Sequence, residues 1–150
     1  MPAARSWLGW FVATTHITDE TFEKTVTEND IVFVDFWAAW CGPCRMFGPI
    51  YEKVSEQHPE ITFAKMDTDA NRAIPTMANI TSIPTLMAFR ENVLVFSQPG
   101  AIGEQSLEQL VQAVQSLDMD AVKAEIAAAQ QHGEPAAEVD PAAEVDPAAE

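Results

Sequence analysis

The apolar positions of the chain form strand-like runs and helix-like stripes in alternation, a pattern typical of an α/β fold. The clearest run is Ile31 to Trp37, which is almost entirely β-branched or aromatic, as in a strand buried on both faces of a sheet. A stripe with helical spacing follows it, formed by Phe47, Ile50, Tyr51 and Val54. Pro49 lies inside this stripe, so we predict a kinked helix that continues past the proline.

Weaker patterns predict the remaining elements. The pattern over residues 14–18 predicts a first strand. A helix is predicted to follow as far as about Asn29, and Thr18 or Asp19 can cap the N-terminus of this helix. Further strands are predicted at 61–67, 86–89 and 93–96, with a tight turn before the last strand, where Asn92 tolerates positive φ. Pro75 restricts the segment 68–79 to partial helix, and two last helices run to Leu117 and to about Gln131.

The two ends differ in character from the segment between them. Residues 1–13 carry a short apolar group that loosely imitates a signal peptide but has no clean cleavage site, so we predict a dispensable extension. Beyond Gly133 the sequence Pro-Ala-Ala-Glu-Val-Asp repeats, without basic or aromatic residues, and cannot bury enough surface to fold. We therefore predict a domain at 14–131, with an extended C-terminal helix, and a disordered acidic tail at 132–150.

Composition narrows the class of protein. The net charge of −15 and the lack of a basic cluster argue against nucleic-acid binding. No apolar run approaches the roughly 20 residues of a membrane span. Two cysteines do not form the disulfide framework that small secreted proteins use. A Cys-x-x-Cys spacing beside a βαβ pattern is instead typical of a redox motif in a reducing compartment. We expect a cytoplasmic monomer that binds neither nucleic acid nor membrane.

The two cysteines open the helix that follows the buried strand. Cys41 and Cys44 are separated by Gly42 and Pro43, and proline suits the first helical turn because it needs no amide donor there. Cysteines at this spacing can form a disulfide. The positive end of the helix dipole favours a thiolate at Cys41, which we predict to be exposed, with Cys44 shielded one turn deeper. Such a pair can reduce a disulfide by thiolate attack followed by resolution.

Asp35 interrupts the apolar strand and therefore needs an explanation. A carboxylate buried there must be partnered, neutralised by a raised pKa, or functional. It lies beneath the cysteine turn, so we predict that it accepts the proton of the second thiol. Lys65 either extends its amine to solvent or lies near Asp35 on the neighbouring strand. We predict no metal site, because a closed zinc site needs about four ligands and no second cysteine pair exists.

Together these features resemble the thioredoxin family, over roughly residues 14–117. The matching segments are Val34-Asp35-Phe36-Trp37-Ala38, Trp40-Cys41-Gly42-Pro43-Cys44, Pro49, Ala64-Lys65, Asp67, Ile83-Pro84-Thr85 and Gly100. The resemblance implies a thioredoxin fold, with a central mixed β-sheet flanked by helices on both faces. It also implies that Pro84 is a cis-proline that faces the cysteines. A flat docking surface for substrates would be formed by Trp40, Gly42, Pro43, Ile83, Pro84 and Gly100.

The resemblance also implies a function. Cys41 would be the nucleophile, Cys44 the resolving thiol, and Asp35, with Lys65 beside it, the proton acceptor. The chain would reduce disulfides in cytoplasmic proteins and be recharged by a thioredoxin reductase that depends on flavin and NADPH. It would need no bound cofactor, because the dithiol stores the two electrons. Two alternatives remain: a disulfide isomerase or oxidant of the same fold, and a binding module whose redox state selects its partner.

Overall fold

A mixed five-stranded sheet forms the centre of the computed structural model, which describes residues 13–131. The strands are β1 (Thr14–His16), β2 (Ile31–Trp37), β3 (Thr62–Asp67), β4 (Thr85–Arg90) and β5 (Val93–Pro99). The helices are α1 (Phe22–Glu28), α2 (Gly42–Gln57), α3 (Ala73–Met77), α4 (Glu104–Gln115) and α5 (Met119–Gln131). The predicted extension, apart from Ala13, and the predicted acidic tail lie outside the described residues.

The sheet has the order β1-β3-β2-β4-β5. Strands β1 and β2 run parallel to β3 between them, whereas β4 runs antiparallel to both β2 and β5. One apolar cluster packs α2 and α4 against one face, and a second cluster packs α1 and α3 against the other. The predicted mixed sheet with helices on both faces is thus confirmed, and β2 lies at its centre. None of the described helices has the length and apolarity that a membrane crossing requires.

Strand β2 sends alternate side chains to the two clusters. Ile31 and Phe33 face α2 and α4, while Val32, Val34 and Phe36 face α1 and α3. By this alternation Asp35 lies on the same face as Phe33, toward α2. The strand therefore carries its one carboxylate to the side of the sheet on which the cysteine helix packs.

Helix α2 is continuous through Pro49, as predicted, and ends at Gln57, with His58 as its C-cap. Its apolar stripe is buried at Phe47, Tyr51 and Val54. The Tyr51 hydroxyl donates a hydrogen bond of 2.8 Å to the carbonyl oxygen of Ala64 on β3. Burial, with smaller effects of nearby carboxylates, raises the pKa of Tyr51 well above its usual value, so this side chain acts as a neutral donor that ties α2 to the sheet.

The prediction that Thr18 or Asp19 caps α1 is wrong. Thr21 precedes α1 and makes no side-chain capping bond. The Asp19 carboxylate instead accepts hydrogen bonds of 3.1, 3.1 and 2.8 Å from the backbone N–H groups of residues 72–74, at the start of α3. The backbone N–H of Asp19 donates in return to Oδ1 of Asn71, at 2.9 Å. Asp19 is close to α1 in sequence, which suggested that it caps α1. The fold instead brings the loop after β1 against α3, more than fifty residues further along the chain.

We expect Asp19→Ala to lower the thermal midpoint of unfolding, because α3 loses the acceptor for its first N–H groups. The hydrogen bond from Ile74, with those from its two neighbours, lowers the pKa of Asp19. The stabilisation is therefore present above the carboxyl's ordinary pKa and is lost as the pH falls through the lowered value. Calorimetry at pH 7 and pH 2 tests this, with Glu20→Ala, an exposed neighbour, as the control. An equal loss of midpoint at both pH values would contradict it.

Residues at the β4–β5 turn contact the two C-terminal helices. Glu91 and Asn92 both have positive φ, 53° and 67°, as a tight hairpin turn requires, which confirms the prediction for Asn92. The Arg90 guanidinium donates to the carbonyl oxygens of Val114, Gln115 and Leu117, at 2.9 to 3.0 Å. The side chain of Lys123 on α5 forms an ion pair of 2.6 Å with Glu91. Both C-terminal helices are therefore attached at this end of the sheet.

Candidate active site

Cys41 and Cys44 form a disulfide at the N-terminus of α2, with their Cα atoms 5.2 Å apart. Cys41 is the residue that caps the helix, and its Sγ accepts a hydrogen bond of 3.2 Å from the backbone N–H of Cys44. Pro43 lies in the first turn, where its missing donor costs nothing. The geometry predicted from the spacing is confirmed: the two sulfurs are close enough to bond, at the positive end of a helix.

The prediction that Cys41 is exposed is wrong for this disulfide-bonded state. Cys41 is 4% and Cys44 is 5% exposed, so the two are equally covered. Ala38, with Trp37 and Ile83, packs around the pair, and the Cys41 Sγ lies 3.7 Å from the Ile83 carbonyl oxygen. The covering residue Ile83 is distant in sequence, which is why local spacing gave no sign of it. Access of a substrate sulfur to Cys41 therefore depends on the packing of Ile83 beside it.

Trp40, the residue before Cys41, is exposed, at 68%. Its indole Nε1 donates to Oδ2 of Asp69 at 3.0 Å, which holds the ring in place. A groove of about 480 Å³ opens next to this ring and is lined by Ile83 on the other side. At the start of α2, Pro43 is exposed and a Cβ at Gly42 would meet nothing within 4 Å, so the backbone there is open to an approaching chain.

The Ile83–Pro84 peptide bond is cis, as the family resemblance implied. Pro84 is buried, and its carbonyl oxygen accepts a hydrogen bond of 2.7 Å from the backbone N–H of Gly100, which has a φ of 104°. That positive φ favours glycine at this position. Pro99 pairs with Thr85 at the end of the edge strand β5, where a proline is tolerated. The structure thus places Ile83, Pro84 and Gly100 together, and their docking role stays a prediction.

Asp35 is almost completely buried, at 1% exposure, and its Oδ1 has no hydrogen-bond partner within the described residues. Burial raises the pKa of Asp35 to about 7, and the charge of Lys65 opposes that shift only in part. Among the options for a buried carboxylate, the raised pKa supports partial neutralisation near pH 7, which is compatible with a role in proton transfer. A group with this pKa takes up and releases protons near neutral pH.

Lys65 lies near Asp35, which decides between the two predicted positions. The two residues are in register on the adjacent strands β2 and β3. The Lys65 Nζ lies 5.2 Å from the centre of the Trp37 ring and faces Gly48 of α2, where a Cβ would be 3.8 Å away. Among residues 13–131, Lys65 forms no ion pair within 4.0 Å. Its amine is therefore close enough to influence the Asp35 charge without forming a direct bond to it.

The sequence reasoning missed Asp69, which positions Trp40. A local signal existed, because the Asp67 Oδ1 accepts a hydrogen bond of 2.9 Å from the backbone N–H of Asp69, a turn that an Asp-x-Asp sequence can form. The contact from Asp69 to Trp40 spans the gap between two loops and has no such signal. Within the described part of the chain, no cluster of three or more His, Cys, Asp or Glu residues could hold a metal ion.

A disulfide at a helix start, a cis-proline facing it and a mixed sheet with helices on both faces define the thioredoxin-fold class of protein-disulfide oxidoreductases. The chain belongs to the Thioredoxin family, whose family model matches residues 13–116. It is therefore a protein-disulfide oxidoreductase with thioredoxin function. Its redox-active pair is Cys41 and Cys44, and disulfide-containing proteins are its partners.

Relatives and solved structures agree with this membership. The chain is 48% identical over 118 residues to "Putative thioredoxin 2" of Streptomyces coelicolor, which covers 79% of this chain and 88% of the relative. It is 39% identical over 102 residues to "Thioredoxin 1" of a Nostoc species, with 67% and 95% covered. A mutant thioredoxin from Halobacterium salinarum has a similar structure, with a TM-score of 0.65 at 31% identity, over 69% of this chain and 92% of that one.

Proposed function

We propose that this thioredoxin reduces disulfides in cytoplasmic proteins, with Cys41 as the nucleophile and Cys44 as the resolving thiol. The observation that carries this assignment is the hydrogen bond from the Cys44 backbone N–H to the Cys41 Sγ at the start of α2. In the reduced protein the same N–H and the helix dipole stabilise a thiolate on Cys41. No equivalent donor contacts the Cys44 sulfur within the described residues, so this stabilisation is specific to Cys41.

The reaction runs in two thiol–disulfide exchanges. The Cys41 thiolate attacks one sulfur of the substrate disulfide, the substrate S–S bond breaks, and the other substrate sulfur leaves as a thiolate that takes up a proton. The Cys44 thiol then gives its proton to the Asp35 carboxylate and attacks the Cys41 sulfur. The mixed disulfide breaks, the second substrate sulfur leaves as a thiolate, and the Cys41–Cys44 disulfide has formed. The two substrate thiolates take up one proton from solvent and the one that Asp35 releases, so two electrons from the cysteine pair and two protons have reached the substrate.

Asp35 suits the second exchange because its pKa of about 7 matches the working pH of a general base. The carboxylate is on the face of β2 toward α2, the helix that carries Cys44. Lys65 is a positioning residue in this proposal: its charge makes the ionised form of Asp35 more accessible than burial alone would allow.

The docking surface consists of Trp40, Gly42, Pro43, Ile83, Pro84 and Gly100. An extended substrate segment would lie across the groove that Trp40 and Ile83 line, and the Ile83 carbonyl oxygen is 3.7 Å from the Cys41 Sγ. After each turnover a thioredoxin reductase, using flavin and NADPH, would restore the dithiol. The chain itself then needs no bound cofactor, because the cysteine pair stores both electrons.

A trapping experiment tests the order of attack. We expect Cys44→Ser to accumulate a mixed disulfide between Cys41 and a reducible protein such as insulin, because the resolving thiol is missing. Non-reducing gels and mass spectrometry of the linked peptide detect it. The double variant Cys41→Ser, Cys44→Ser is the control and should trap nothing. Trapping by Cys41→Ser instead of Cys44→Ser would reverse the roles, and a strongly oxidising potential of the wild-type pair would contradict the direction of reaction.

A further inference from the structure

The groove beside the disulfide carries a basic residue that the proposed mechanism does not use. Arg72 lines this groove together with Trp40, Asp69 and Ile83. It is exposed, and it occupies the position just before α3. A substrate segment that crosses from Trp40 to Ile83 therefore passes within reach of a guanidinium group, the side chain best suited to bind a carboxylate.

Within the described part of the protein, Arg72, Lys24 and Lys65 form no ion pair, and of these three Arg72 is the one that lines the groove. Lys53 and Lys123 form ion pairs with glutamates, and Arg90 donates to the carbonyl oxygens after α4. Arg45, the residue after Cys44, donates to the carbonyl oxygen of Ala39. For the Arg72 guanidinium, no hydrogen bond and no carboxylate within 4.0 Å occurs among residues 13–131.

The surroundings of Arg72 hold its backbone but leave its side chain available. The Asp19 carboxylate accepts the Arg72 backbone N–H at 3.1 Å, and it also binds the next two N–H groups. Asp69, the acidic residue that shares the groove, uses its Oδ2 to hold the Trp40 indole. These hydrogen bonds hold the Arg72 backbone and the Trp40 ring, so the base of the Arg72 side chain has a defined place beside the groove.

We propose that Arg72 determines substrate preference, favouring target segments that carry an aspartate or glutamate within a few residues of the disulfide. This inference rests on the proposed function and assigns a substrate class to it. The chain has a net charge of −15, so acidic targets are repelled at long range. Arg72 places positive charge in the groove that Ile83 also lines, and the Ile83 carbonyl oxygen lies 3.7 Å from the Cys41 Sγ. A carboxylate in a target segment that crosses this groove therefore gains a local partner, while the long-range repulsion is screened by salt.

Synthetic disulfide-linked peptides that differ at one residue near the cysteine test this proposal. The variable residue is glutamate, glutamine or lysine, placed in turn at each of the three positions on either side. Single-turnover reduction by the reduced protein gives kcat/KM for each peptide. At one position or more we expect glutamate to exceed glutamine by about two- to fivefold, the range for an exposed ion pair, and lysine to be slowest. The preference should shrink in roughly 1 M salt, where screening acts within about 3 Å.

Variants of Arg72 separate its role from the general charge of the protein. Arg72→Gln should remove the preference for glutamate, and Arg72→Glu should invert it toward lysine, each read as the ratio of kcat/KM between the charged peptide and the glutamine peptide. Lys24→Glu makes the same charge change on α1 and should leave the preference intact. Preference for glutamate that survives Arg72→Glu, or equal rates for all three peptides with wild-type protein, overturns the proposal while the reductase function stands. If wild-type protein reduces none of the peptides or insulin, both fail.

Discussion

Replacing Cys41 by serine is expected to lower the rate of disulfide reduction by at least about 1000-fold, the scale seen when a catalytic nucleophile is removed. A serine hydroxyl is far less acidic than a thiol, so the N-terminus of α2 and the Cys44 N–H cannot produce an anion there at neutral pH. Insulin reduction by a dithiol donor, followed by turbidity, gives the rate. The small volume change at a buried site should leave the fold intact, which circular dichroism checks.

The matched control for this substitution is Cys44→Ser. This variant keeps the nucleophile, so it should still react once with a substrate disulfide in a rapid, single burst. Cys41→Ser should show no burst. If Cys41→Ser reduced insulin at more than about a tenth of the wild-type rate, the assignment of the nucleophile at the helix start would be wrong.

Replacing Asp35 by asparagine is expected to stabilise the protein at pH 8 and to slow the resolving step. The folded-state pKa of about 7 lies above the ordinary carboxyl value of 3.8, so the folded protein binds a proton that the unfolded chain has released. The free energy of unfolding therefore falls as the pH rises from about 4 to 7, by as much as a few kcal/mol. Removing the carboxyl removes that penalty, which is fully present above pH 7 and absent below pH 4.

Urea unfolding of wild type and Asp35→Asn at pH 5 and pH 8 measures this effect. The difference in free energy of unfolding should be larger at pH 8. Asp30→Asn makes the same change at an exposed position just before β2 and serves as the control, with little effect at either pH. Equal differences for Asp35→Asn at both pH values would show that the carboxyl carries no charge penalty in the fold.

The kinetic consequence of Asp35→Asn follows from the same pKa. In wild type the rate of the resolving step should rise through pH 7, because only the ionised carboxyl accepts the Cys44 proton. The variant should lose that inflection and resolve about 100-fold more slowly, the scale of general base catalysis. Stopped-flow fluorescence on a preformed mixed disulfide measures the step. An unchanged pH profile would remove Asp35 from the mechanism.

Sequence patterns predicted those parts of the fold in which local and global preferences agree. Strand β2, helix α2 and the tight turn at Asn92 each follow from a periodicity or a single residue preference, and each is present in the structure. The cysteine geometry was also predictable, because the spacing and the helix start are local features. The raised pKa of Asp35 follows from a charge in an apolar run, although its size depends on packing.

The remaining features could not be predicted because they depend on residues distant in sequence. Asp19 caps α3 instead of α1, since the loop after β1 meets a helix that propensity cannot place. The burial of Cys41 depends on Ile83, which local spacing does not bring near the cysteines, although the family resemblance implied that the neighbouring Pro84 faces them. The contact between Trp40 and Asp69 likewise joins two loops. In each of these three contacts, the fold brings together two residues that are far apart in the sequence.

The central position of β2 has a consequence for the catalytic cycle. This strand is hydrogen-bonded along both edges, and it leads directly into the loop that carries the cysteines. A scaffold bonded on both sides leaves little freedom for backbone rearrangement when the sulfurs separate or join. Each round of electron transfer then needs little backbone rearrangement. The rate at which substrates meet the cysteines productively, more than internal motion of the protein, would limit the turnover rate.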